Sequence, residues 1–188
     1  LLPPAQHYCE PFGGSAAVLL NREPAPVETY NDIDSEVVNF FRVLREQKDE
    51  LIYAIGMTPF SREEYVLAID TNGSELPSSA ENSAWDETSY QKSEAQLRLL
   101  AEKRAAFKVK LSADMSQPLT DLERARRFFV RARQTRTGLA QTASVGRWAN
   151  CLNTSRAGMA GAVSRWLGSV EELEWIASRL LRVQIEHD

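Results

Sequence analysis

Short apolar runs punctuated by turn residues open the chain, and longer runs with helical spacing follow. Residues 6–10 and 27–31 read as two short buried strands. Between them the pair Gly13-Gly14 leads into a helix predicted to start over 15–20, and Glu23-Pro24-Ala25-Pro26 ends that unit. A helix is predicted over 35–51, with Asp34 or Ser35 as its N-cap. Its apolar positions Val37, Val38, Phe41, Leu44 and Leu51 recur at helical intervals. Strand, turn, helix, strand, helix is the opening of a parallel α/β sheet.

The pattern then changes. Ser61 followed three residues later by Glu64 is a capping box, and residues 71–89 read as a long polar loop. A charged amphipathic helix is predicted over 93–108. Thr120 and Glu123 form a second capping box, opening a helix that ends near Gln134. Residues 135–155 hold turn residues and no clear period, and 159–167 read as helical. Ser169 and Glu172 form a third capping box, opening a helix to about Leu181, and a strand is predicted from Arg182. The return to strand character predicts an α/β sheet interrupted by an insertion. The boundaries are 1–58 for the first part of the sheet domain, 59–168 for the insertion and 169–188 for the return. No internal repeat is visible.

At 188 residues, 43% hydrophobic and 26% charged, the chain suits one globular domain, or one domain carrying an insertion. No apolar run reaches the length of a membrane span, and the first residues are neither a signal nor a transit peptide. Cys9 and Cys151 offer no disulfide framework or zinc spacing, and His7 and His187 lack companions for a metal site. The net charge of −4 hides an asymmetry. Residues 1–94 carry 17 acids and 6 bases, whereas residues 95–170 carry 4 acids and 14 bases. From Arg124 to Val170 there are nine arginines and no Asp, Glu or Lys. Such a segment points to a polyanion partner, and the competing reading is a solvated, arginine-rich helix face.

A strand–glycine–helix turn presents backbone N–H groups to a ligand, and an acid closing the next strand is placed to accept ribose hydroxyls. A phosphate loop would need a GxxxxGK[ST] pattern, and a dinucleotide site would prefer GxGxxG; neither is present. A ligand with a nucleoside and no phosphates, such as S-adenosylmethionine, fits better. The alternative is a tight turn that only packs a helix on the sheet.

Glu10-Pro11-Phe12-Gly13-Gly14 and Tyr30-Asn31-Asp32-Ile33-Asp34 together resemble the first two motifs of the Dam-like DNA adenine-N6 methyltransferases. Ala16 stands where that family usually has its last glycine. The stretches around Ser61 and Arg133 resemble phage and prophage members. The resemblance implies a Rossmann-like methyltransferase sheet, present in part, with a largely helical target-recognition insertion. It implies S-adenosylmethionine as cofactor and double-stranded DNA as partner, in a monomer of the bacterial or phage-infected cytoplasm. Glu10 would lie near the methionine end of the cofactor; Pro11, Phe12 and the backbone of Gly13, Gly14 and Ser15 would line its pocket. Asp32 would hold the ribose hydroxyls, Ile33 would pack on the adenine, and Asp188 would approach its amino group. Core packing is the rival role for Phe12 and Ile33, and a helix N-cap for Asp32.

The acid-free segment falls where the family's DNA-reading region lies. Arg131 and Arg133 on the predicted helix, and Arg136, Arg147 and Arg156 in the loops, would serve phosphates or base edges. Trp148 is a candidate base-stacking residue; Phe128 and Phe129 fit burial better. If about six phosphates are neutralised, log K should fall with log salt at a slope of about −5. The family's catalytic Asp-Pro-Pro-Tyr does not occur in the sequence. The chain therefore reads as a fragment of an adenine-N6 methyltransferase that is inactive alone. The alternatives are a non-catalytic DNA-binding remnant, one part of a split enzyme, or an interaction protein.

Overall fold

The computed structural model describes residues 5–69, 118–135, 148–149, 155–156 and 158–188. The predicted loop 71–89 and helix 93–108 lie outside them, as do Arg136 and Arg147. Strand β1 (His7–Glu10) leads through the glycine turn to helix α1 (Ala17–Asn21) and strand β2 (Val27–Asn31). Helices α2 (Ser35–Glu46), α3 (Lys48–Gly56) and α4 (Arg62–Ile69) follow. Further on come α5 (Asp121–Gln134), the two-residue strands β3 (Ser155–Arg156) and β4 (Met159–Ala160), α6 (Gly161–Glu171), α7 (Leu173–Leu180) and strand β5 (Val183–Glu186).

The sheet is parallel, in the order β1-β2-β5. Glu10 pairs with Tyr30, and Tyr30 with Ile185, so the carboxyl ends of all three strands lie side by side. The sequence pattern anticipated this parallel α/β organisation and left several boundaries to be corrected. The 35–51 helix breaks at Gln47, whose φ of −129° and ψ of 48° are not helical; no Gly or Pro marks that break. The first helix begins at Ala17, leaving Ser15 in the turn. Met159 and Ala160 pair antiparallel with Ser155 and Arg156 before the helix starts at Gly161. Ser169 is no cap: its hydroxyl donates to the Trp166 carbonyl at 2.7 Å from within α6. Asp34, Ser61 and Thr120 do cap, accepting the backbone N–H groups of Glu36, Glu64 and Glu123 at 2.9, 3.2 and 3.2 Å.

One sheet face meets the helices. Tyr30, Val183 and Leu19 join Val37, Phe41 and Leu44 of α2, and Leu173, Ala177 and Leu180 of α7, in one core. Aromatic contacts continue that core into the helices. Tyr30 meets Phe41 edge-on at 5.1 Å, Phe41 meets Phe40 at 5.4 Å, and Phe40 stacks on Phe129 at 5.7 Å. Phe129 meets Trp166 at 5.4 Å, Trp166 meets Phe60 at 6.4 Å, and Phe60 meets Trp148 at 5.5 Å. Each such pair contributes about 0.5–1.5 kcal/mol beyond its burial.

A charged centre lies inside this face. Glu28 is wholly buried and accepts from Arg179 at 2.5 and 2.7 Å, from the Ala25 N–H at 3.0 Å and from Arg22 at 3.4 Å. Burial pushes its carboxyl up, but the hydrogen bonds from Arg179 and Ala25 and the charges of Arg179 and Arg182 outweigh this and hold it below its ordinary value. A carboxyl lowered in the folded state contributes stability that is present above about pH 4.3, the unfolded value, and is lost as pH falls through the folded one. Glu28→Gln removes that charge and leaves its arginines buried without it. The substitution is expected to cost about 3–5 kcal/mol in urea unfolding at pH 7, with a smaller difference at acid pH. A cost below 1 kcal/mol would contradict this role.

Candidate functional site

The carboxyl ends of β1, β2 and β5 carry the residues singled out from the sequence. Leaving β1, the chain crosses the end of β2, where the Gly13 N–H donates to the Asn31 carbonyl at 2.9 Å. A Cβ at Gly13 would fall on the ring edge of the buried Tyr30, so the turn comes this close only with glycine. The Tyr30 hydroxyl donates to the Gly14 carbonyl at 2.7 Å. Burial, then the charges of Asp32, Glu10 and Asp34, push its phenol far up, so it remains a donor. Gly14 has a φ of +50°, and a side chain there would point into open space. Ala16, buried at the last glycine position of the motif, also adopts a positive φ, 55°.

Asp32 closes the arrangement. One carboxylate oxygen accepts the Gly14 N–H at 2.7 Å and the other accepts the Asp34 N–H at 2.9 Å. Asp34, not Asp32, is the helix cap. A carboxylate has about four lone-pair sites, so each Asp32 oxygen keeps one for a further donor. Asp32 is buried to 8% exposure, yet its neighbour Ile33 and Phe12, two residues before Gly14, are not. Phe12 is 77% exposed and Ile33 68%, which removes core packing as the role of either.

Asn31 ties the strand ends together. Its amide donates to the Pro11 carbonyl at 3.2 Å and approaches the Asp188 carbonyl at 3.5 Å, while its oxygen accepts the Asp188 N–H at 3.0 Å. The Asp188 side chain is exposed beside this edge. Glu10 accepts from the Tyr8 hydroxyl at 2.7 Å. Burial first, then the bond and charge of Glu10, push the Tyr8 phenol up to about 12. The Arg22 guanidinium lies 4.0 Å from the Tyr8 ring centroid. Sequence reasoning matched Asn31 to a motif without giving it work and passed over Tyr8. Its position two residues before Glu10, on the same strand face, was the available signal.

The arginine segment divides differently from its sequence reading. On α5, Arg124 binds Glu36; Arg126 binds Glu123 and Glu64 at 2.7 and 2.9 Å; Arg127 binds Glu123 at 2.8 Å. Arg131 is only 5% exposed, and burial lowers its pKa. It faces the interior instead of a phosphate, which corrects the expectation for that residue. Its spacing places it with Arg127 on the inner face of the helix. Arg133 and Arg156 are exposed. Trp148 is half-buried; its indole N–H donates to Gln134 at 3.3 Å, and its ring meets Phe60 and the Arg62 guanidinium. Phe129 is buried and Phe128 packs on Phe40.

These features define an α/β domain whose candidate site lies at the carboxyl ends of its parallel strands. Residues 1–140 match the family model of the D12 class N6 adenine-specific DNA methyltransferases. The match covers well over half of the 188 residues, and the chain belongs to this family of enzymes, which methylate adenine in DNA. The family implies S-adenosylmethionine as methyl donor and DNA as substrate. No curated protein matches the chain. Among the described residues, no helix is long and apolar enough to cross a membrane.

The two turn glycines are expected to fail differently when changed. Gly13→Ala should cost about 1–3 kcal/mol through overpacking against Tyr30. Gly14→Ala should cost about 1–2 kcal/mol through its positive φ alone. In a double-mutant cycle by urea unfolding, only Gly13→Ala is expected to couple to Tyr30→Leu.

Proposed function

We propose that the turn and strand ends form the adenosyl half of an S-adenosylmethionine site, in a Rossmann-like sheet present in part, with residues 59–168 as a target-recognition insertion. The observation that carries this reading is Asp32, held by the Gly14 and Asp34 N–H groups with acceptor capacity to spare, next to exposed Ile33 and bonded to the glycine turn that follows exposed Phe12. A nucleoside suits that set. Its ribose hydroxyls would donate to Asp32, and its ring would lie against Ile33. Pro11, Phe12 and the backbone from Gly13 to Ser15 would line the pocket, with Glu10 toward the methionine end and Asp188 toward the adenine amino group. The open space above Gly14 leaves room for this approach.

The cofactor supplies the activated methyl group. The residues on this chain bind and orient it. Asn31 holds the three strand ends in register, and Tyr8 fixes the Glu10 carboxylate. The substrate adenine lies within double-stranded DNA and would have to leave the base stack, at a few kcal/mol, to reach the methyl group. Holding the flipped base is the task of Asp-Pro-Pro-Tyr in this family, and the 188 residues contain no such tetrapeptide. They are therefore expected to bind cofactor and DNA without turning over by themselves.

Titration calorimetry with S-adenosylmethionine tests the site. Phe12→Ala and Ile33→Ala change exposed residues, so stability should move by no more than about 0.5 kcal/mol while affinity falls. Asp32→Asn should weaken binding about 10- to 100-fold, as expected for losing a charge-assisted hydrogen bond. Unchanged affinity in all three variants would remove this site. A radiolabelled methyl-transfer assay is expected to show no turnover by the 188 residues alone.

A further inference from the structure

The described arginines between Arg124 and Arg165 fall into two groups. Arg124, Arg126 and Arg127 are held by carboxylates, and Arg131 is buried. Arg133, Arg156 and Arg165 are exposed, and among the described residues none pairs with a carboxylate. These three come from three elements, the last turn of α5, the strand β3 and the middle of α6. They line one open cleft of about 600 Å³. Three guanidinium groups against the two carboxylates of Glu171 and Glu172 leave the cleft a net positive charge, which favours an anion along its wall. Arginine forks match phosphate oxygens in bidentate geometry.

We propose that this cleft carries the phosphodiester backbone of duplex DNA, with Arg133, Arg156 and Arg165 as phosphate ligands. The proposal rests on the DNA methyltransferase reading and deepens it, adding Arg165 and assigning the three arginines to backbone positioning instead of base readout. Exposed Met159 and Leu167, in the same cleft, present apolar surface suited to the deoxyribose between phosphates. Glu171 and Glu172 also line it. Their charges disfavour an anion beside them, so the cleft suits an extended, multiply contacted backbone and is a poor trap for free anions. Phosphate contacts position the duplex and carry no sequence information.

Fluorescence anisotropy of a labelled duplex, titrated with the 188-residue chain over a range of salt, tests this. Each of Arg133→Gln, Arg156→Gln and Arg165→Gln should lower the slope of log K against log salt by about one, and the triple variant by about three, whatever the duplex sequence. All three side chains are exposed, so the fold should survive. Arg165→Lys keeps the charge and should keep the slope. Arg42→Gln, on an exposed part of α2, changes the same charge outside the cleft and should leave binding close to wild type. A triple variant with the wild-type slope, or an Arg42→Gln loss as large as the cleft variants', would overturn the proposal while leaving the DNA reading intact. Stronger competition by inorganic phosphate than by chloride at matched ionic strength would also overturn it, by revealing a discrete anion site. Tighter binding to an RNA duplex of the same sequence would do so too. No binding of the wild-type chain to any duplex at low salt would overturn both the proposal and the DNA reading.

Discussion

The Asp32 carboxylate accepts the Gly14 N–H through one oxygen and the Asp34 N–H through the other. Those two bonds join the turn after β1 to the start of α2. They fix Gly14, which a positive φ alone would leave free to move, and set the entry of the helix that packs on the sheet. Tyr30 completes the connection from below, with its ring against Gly13 and its hydroxyl on the Gly14 carbonyl. A buried carboxylate costs free energy unless it is hydrogen-bonded. Here the bonds that offset that cost are the ones that shape the glycine turn, so the fold and the proposed site share one residue.

From Tyr30 the same core runs outward. Phe41, Phe40, Phe129, Trp166 and Phe60 follow one another through ring contacts to Trp148, so the helices that carry the arginines rest on the sheet that carries the proposed site. The carboxylates of Glu36, Glu64 and Glu123 serve this packing by holding the inner arginines of α5. An acid-free stretch in the sequence is therefore not an acid-free stretch in space. The carboxylates nearest Arg124 and Arg126 include two from α2 and α4, far away in the chain.

Local signals carried much of the fold. The β2 strand has the bounds its apolar run suggested, and α5 starts and ends where the Thr120 box and Gln134 placed it. The break at Gln47 escaped because apolar spacing continues across it to Leu51 and Ile55. Ser169 misled because a Ser three residues before an acid also fits the interior of a continuing helix, which is where it lies. The β3–β4 pair is too short to leave a period. The positions of the turn glycines and Asp32 were legible because each follows closely on a strand, although the bond that joins Gly14 to Asp32 spans 18 residues. Glu28 was not: a lone acid in a strand reads as solvent-facing, and its partner Arg179 is 151 residues away. The pairs of Arg124 with Glu36 and of Arg126 with Glu64 were hidden for the same reason, whereas Glu123 meets Arg126 and Arg127 at local helical spacing and lies just outside the acid-free stretch.

Whether this strand edge receives a nucleoside on Asp32 is tested most directly by a crystal structure of the chain with S-adenosylhomocysteine. The ribose hydroxyls are expected at about 2.5–3.0 Å from the Asp32 carboxylate, with the adenine against Ile33 and Phe12 beside the ligand. A nucleoside bound elsewhere, with Asp32 retaining only its two backbone partners, would contradict it.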